Sequence, residues 1–104
     1  MATKTTLRNQ GTSFHGHEIV CTPKDLKEIL GEPTYDQNTG KDKVNLEWVC
    51  ETEDGEVFTI YDWKEYRTIS EDEDIEWHLG GHSADVTSKA FFELLRQLEE
   101  SVGQ

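Results

Sequence analysis

The chain has 104 residues, of which 34% are hydrophobic and 31% charged, and a formal charge of -12. That length leaves room for one core burying roughly two-thirds of the unfolded surface and none for a second domain. The composition excludes disorder over most of the chain, and the charge opposes binding to nucleic acid or anionic lipid.

The charge is unevenly placed. Residues 1–50 hold seven acids against six bases, a net of -1, whereas residues 51–104 hold fifteen acids against four bases, a net of -11. A surface of this kind draws basic partners at rates that fall with salt. It also serves solubility. There is no apolar run of eighteen residues and no hydrophobic segment of signal-peptide type in "MATKTTLRNQG", so the expectation is a cytoplasmic protein without membrane attachment. Cys21 and Cys50 do not form a close pair and are expected as buried small hydrophobes in a reducing compartment.

In chain order, residues 1-12 are polar and aperiodic and read as a flexible N-terminal tail. Residues 13-104 read as a single α+β domain. "SFHGHEIVCT" offers Phe14, Ile19 and Val20 as a short strand. "TPKDLKEILGEP" is a punctuated helix: Thr22 caps it, Pro23 takes the first helical position and Asp25 lies near the positive helix end. Leu26, Ile29 and Leu30 form its buried stripe, and Gly31 closes it.

Residues 34–43 read as a surface loop. "KVNLEWVCE" alternates, with Val44, Leu46, Trp48 and Cys50 on one face and Asn45, Glu47 and Glu51 on the other. The hairpin that follows has two registers. A three-residue loop Glu53-Asp54-Gly55 with Gly55 left-handed sets Trp48 opposite Ile60 and Cys50 opposite Phe58, whereas a two-residue turn sets Trp48 opposite Tyr61 and exchanges the faces. The bulged register is expected, because it adds Phe58 and Ile60 to the apolar row of the preceding strand. "FTIYDWKEY", residues 58–66, then reads as one strand whose outer face carries Tyr61 and Trp63 beside Glu47, Val49, Glu51 and Val57.

Four consecutive acids, Glu71 to Asp74, form a turn, and a third strand follows with Ile75, Trp77 and Leu79 inward and Glu76 and His78 outward, ended by Gly80 and Gly81. Ser83 caps the last helix, whose stripe is Ala90, Phe91, Leu94, Leu95, Leu98 and Val102, with Phe92 on the opposite side. The order β-α-β-β-β-α predicts a two-layer α+β domain: an antiparallel sheet of three to four strands with two helices on one face.

The chemistry-bearing residues are few. His15 and His17, and His78 and His82, have spacings that can ligate a metal, but the second pair spans a Gly-Gly break and neither has a cysteine pair or diagnostic carboxylate nearby. Solvated histidines are expected, with no metal or other cofactor. The acidic turn lacks the alternation and central glycine of a calcium loop. The bulged register turns Asp62 toward the core side near the strand's end, but the favoured reading is an acid at the sheet edge that caps a turn or pairs with Lys64 or Arg67; no nucleophile, phosphate-binding or dinucleotide motif occurs.

Two readings follow. The first is a small acidic non-enzymatic binding protein that blocks a basic partner protein, with Glu47, Tyr61, Trp63, Glu71, Asp72, Glu73, Asp74, Glu76 and His78 as the partner-binding surface. Immunity proteins, antitoxins and phage-encoded inhibitors share this compositional character, some by imitating the phosphate array of DNA. The alternative is a homo-oligomeric small-ligand binder or small enzyme, in which the outer aromatic face or the pocket between the sheet and the C-terminal helix holds a compact molecule, stacked by Trp48, Tyr61, Trp63 and Trp77, with His78 or His82 on a polar group. Phe92 and the aromatic face could instead make a plain homodimer.

Overall fold

The computed structural model describes residues 1–7 and 11–102. Residues 8–10 of the expected tail, the side chain of Val102 and the last two residues lie outside that description. Eight elements follow in order: β1 (Thr3–Lys4), β2 (Ser13–Cys21), α1 (Pro23–Leu30), β3 (Tyr35–Asp36), β4 (Leu46–Glu51), β5 (Val57–Tyr61), β6 (Ile75–Gly81) and α2 (Ala84–Val102). The protein is an α+β domain with a wholly antiparallel sheet.

The sheet has six strands rather than three or four, in the order β1-β4-β5-β6-β2, with β3 also on β4. The extra strands are two-residue pieces: Thr3 and Lys4 pair with Glu51 and Cys50, and Tyr35 and Asp36 pair with Glu47 and Leu46. Both fall where the sequence reads as tail or loop. Ala2 is buried, and its backbone N–H and C=O are both met by the Gln97 side chain, at 2.8 and 3.1 Å. A clasp across 95 residues of sequence thus ties down the segment expected to fray.

The hairpin between β4 and β5 adopts the bulged register. Trp48 lies opposite Ile60 and Cys50 opposite Phe58, Thr52 N–H donates to Glu56 O, and Gly55 has φ +81°. That register sends Leu46, Trp48, Cys50, Phe58, Ile60, Ile75, Trp77 and Leu79 to one face, where Leu26 and Leu30 of α1 and Val86, Ala90 and Leu94 of α2 complete the core. Trp48 and Trp77 meet edge to face at 5.5 Å, with their indole N–H groups on Gly31 O and Cys21 O. Both are fully buried, so neither can stack a ligand as the alternative reading requires.

Helix α1 forms as its punctuation dictates. Thr22 Oγ1 accepts from Asp25 N–H while Asp25 Oδ2 accepts from Thr22 N–H, a reciprocal cap, and Gly31 at φ +86° ends the helix.

Three boundaries differ from expectation. The strand read over 58–66 stops at Tyr61, because the buried Asp62 carboxylate turns inward and accepts from Asn45 N–H (2.8 Å) and Leu46 N–H (2.9 Å), taking the place of a ladder bond. The chain then turns through left-handed Lys64 and Tyr66. Val44, expected inward, lies outside β4, whose ladder with β3 and β5 begins at Leu46 and Glu47. Gly80 and Gly81 continue β6 rather than ending it: a Cβ on Gly80 would sit 2.5 Å from Thr59 Oγ1, and one on Gly81 2.9 Å from Thr87 Cγ2. Those glycines let β5 and α2 approach the strand closely.

Candidate functional site

Both helices pack on the core side; on the other face Val49 and Thr59 are buried, and strand register decides what the rest of that face presents. Tyr35, Glu47, Tyr61, His78 and Glu18 are directly opposed in turn across β3, β4, β5, β6 and β2, so they form one row over the whole width of the sheet. The rings gather around His78, the fourth of these five. The Phe14 ring stacks on the His78 ring at 4.4 Å, Trp63 lies nearly parallel to it at 6.3 Å, and Tyr61 meets it edge-on at 5.6 Å. Trp63 and Phe14 are each 40% exposed.

Cations already gather here. Lys43 Nζ and Lys64 Nζ lie 5.8 and 5.6 Å from the Trp63 ring centroid, within the range at which the electron-rich face attracts an ammonium. Carboxylates flank the rings: Glu18 Oε1 is 3.9 Å from His78 Nε2, and Glu76 occupies the next outer position of β6, opposite Val20. Partial burial pushes the Glu47 carboxyl above its ordinary pKa, and burial together with Glu47 pushes the Tyr61 phenol up. The middle of the row is therefore partly desolvated, where a charge interaction counts for more than in open water.

Of the nine residues singled out from sequence, Glu47, Tyr61, Trp63, Glu76 and His78 come together on this face. The acidic turn is divided. Glu71 is paired with Lys27 of α1, while Glu73 takes Arg67 at 2.6 Å, which holds its carboxyl below the usual range. Asp72 is exposed, and Asp74 faces the other way, towards a groove beside β2.

Sequence reasoning missed Phe14 and Glu18 as members of the face. The reason is a β-bulge: Phe14 pairs with Gly80 and Glu18 with His78, so four residues of β2 run against two of β6, with Gly16 at φ +92°. A strand interrupted this way has no period to read.

His82 is exposed, whereas His15, His17 and the two cysteines are committed to structure. His17 Nδ1 lies 2.7 Å from Thr87 Oγ1, but that hydroxyl donates to Ala84 O within α2 and is fully buried, which leaves it no access to a substrate. His15 Nε2 lies 3.0 Å from Gly81 O. Burial pushes both thiols up to about 12, so Cys21 and Cys50 are protonated at neutral pH. Among the described residues no group of three or more His, Cys, Asp or Glu side chains could hold a metal ion, and no helix is long and apolar enough to cross a membrane.

Comparison of the chain with protein families, with curated proteins and with solved structures finds no match in any of the three.

Proposed function

We propose that this is a non-enzymatic acidic binding protein that blocks a basic partner protein by covering it with the outer face of the sheet. The observation that carries the reading is the partly exposed cluster of Phe14, Tyr61, Trp63 and His78 set among Glu18, Glu47 and Glu76. Rings with two torsions each supply contact area at low entropic cost, while the carboxylates steer a basic surface and reject an acidic one. The two lysines over Trp63 stand where arginine or lysine side chains of a partner would sit.

Capture of a basic protein at low and raised salt tests this, comparing wild type with Trp63→Ala. Since Trp63 packs only against surface neighbours, its truncation is expected to lower stability by about 1 kcal/mol or less while abolishing capture. Capture unaffected by Trp63→Ala overturns the use of this face, and a salt-tolerant thermal shift with a small metabolite favours the ligand-binding alternative instead.

A further inference from the structure

We propose that the free edge of β2, with the groove beneath it, takes an extended basic segment of a protein partner by strand addition. The inference rests on the reading of a basic partner and adds where and how a segment of it is held.

β2 is the terminal strand of the sheet, and among the described residues no strand pairs with its second edge. An edge strand presents unpaired N–H and C=O groups and so acts as a template for another strand. On the core side of this edge runs a groove of about 610 Å³ whose floor is apolar: Ile19 of β2 with Phe91, Leu95 and Leu98 of α2. Its rim carries the acids Glu18, Asp25, Asp74 and Glu99, and none of the residues lining it is basic. The negative field reaches the floor, since the Cys21 thiol is pushed up first by burial and then by Asp25 and Asp74.

The edge and the groove fit one occupant together. Successive side chains of a strand laid along β2 point to opposite faces. One set meets the apolar floor, and the other lies beside Val20, which is 60% exposed on the outer face. Basic residues at the ends of the segment reach the acidic rim. The bulge between Phe14 and Glu18 breaks the edge, so regular pairing is confined to Glu18–Cys21, a stretch that takes a segment of about five residues. A second copy of the chain is the poorer occupant, because pairing β2 with β2 would bring both acidic rims together on molecules of charge -12 each.

The test is titration of isotope-labelled protein with three synthetic hexapeptides: alternating Lys-Val, alternating Glu-Val, and Lys-Val N-methylated at alternate residues so that it cannot complete a ladder. Expected for the Lys-Val peptide are amide shifts and slowed hydrogen exchange over residues 18–21 with shifts along 91–99, and no binding of the other two. The triple variant Glu18→Gln/Asp74→Asn/Glu99→Gln, which alters only exposed side chains, should bind about tenfold more weakly. Leu95→Ser should weaken binding without removing its salt dependence.

Equal binding of the N-methylated peptide overturns strand addition. Shifts confined to Tyr61, Trp63 and His78 place the peptide on the outer face and overturn the groove. Protection of β2 amides without peptide, rising with protein concentration, assigns the edge to a second copy and overturns the proposal. Absence of peptide binding alongside Trp63-dependent capture of a basic protein removes the strand inference alone; absence of both removes the basic-partner reading as well.

Discussion

The two edges of the sheet are finished in opposite ways. Beyond β4 the edge is tiled: β3 covers its first residues, β1 its last, Val49 N–H between them donates to Thr34 Oγ1, and Val49 O accepts from Thr5 N–H. Beyond β2 no strand of the described residues pairs, and what marks this edge is a bulge and a set of carboxylates. Charge and irregularity are common means of discouraging accidental pairing at an edge while leaving it open to a chosen partner. On the proposals above the β4 side carries stability and the β2 side recognition, and substitutions on the two sides should separate accordingly.

The largest effect is expected at Asp62. Its Oδ1 serves two buried backbone donors where β4 begins, and Asp62→Ala leaves both unpaired, at about 1–3 kcal/mol each. Denaturant unfolding should show a loss of about 3 kcal/mol, accompanied by faster exchange of the β3 amides. Asn45, which accepts from Gly40 N–H and donates to Arg67 O, fixes the loop next to it. A loss below 1 kcal/mol would mean that the tiled edge does not depend on this carboxylate.

Asp62 also shows what the sequence makes legible. The capped α1, the bulged hairpin and the inward rows of β4, β5 and β6 could be read, and the chosen register turns Asp62 inward, yet the favoured reading is an edge acid capping a turn or pairing with Lys64 or Arg67, which its full burial overturns. What it accepts from could not be read, because those donors are backbone amides seventeen and sixteen residues away. The tiles were invisible for a related reason: two-residue strands have no periodicity, and β1 is anchored by Gln97, which in sequence is one polar residue on a helix. Of the candidate surface, Tyr61, Trp63, Glu47, Glu76 and His78 followed from alternation once the register was chosen. Phe14 and Glu18 did not, because the bulge erases the period that would have placed them. A pocket between the sheet and the C-terminal helix is expected from the sequence, but its lining and acidic rim are not, because it joins residues from β2 and α2 that no local pattern relates.

A matched pair of truncations sharpens the contrast at intermediate size. Val49 and Val20 both point to the outer face, but Val49 is 8% exposed under the tiled edge and Val20 is 60% exposed on the open one. Val49→Ala removes two buried carbon atoms and should cost about 1.5 kcal/mol, whereas Val20→Ala should cost about 0.5 kcal/mol or less. Equal losses would show that something covers β2 in solution, as a second copy of the chain would.

The smallest effect is a dependence on pH within the outer row. Glu47 sits there between Tyr35 and Tyr61, half-buried, whereas Glu18 at the end of the row is exposed. Burial raises the Glu47 pKa in the folded protein, so the folded state holds this proton more tightly than the unfolded chain does. Ionising it therefore costs stability at pH above the folded value; the cost fades as pH falls through that value and is gone below the unfolded one. Glu47→Gln should accordingly be more stable than wild type at neutral pH, with the gap closing on acidification, when unfolding curves of the two are compared from pH 7 to pH 4. A constant gap would mean that Glu47 is as open to water as Glu18, and a gap that widens on acidification would mean that it is stabilised as a carboxylate by a partner.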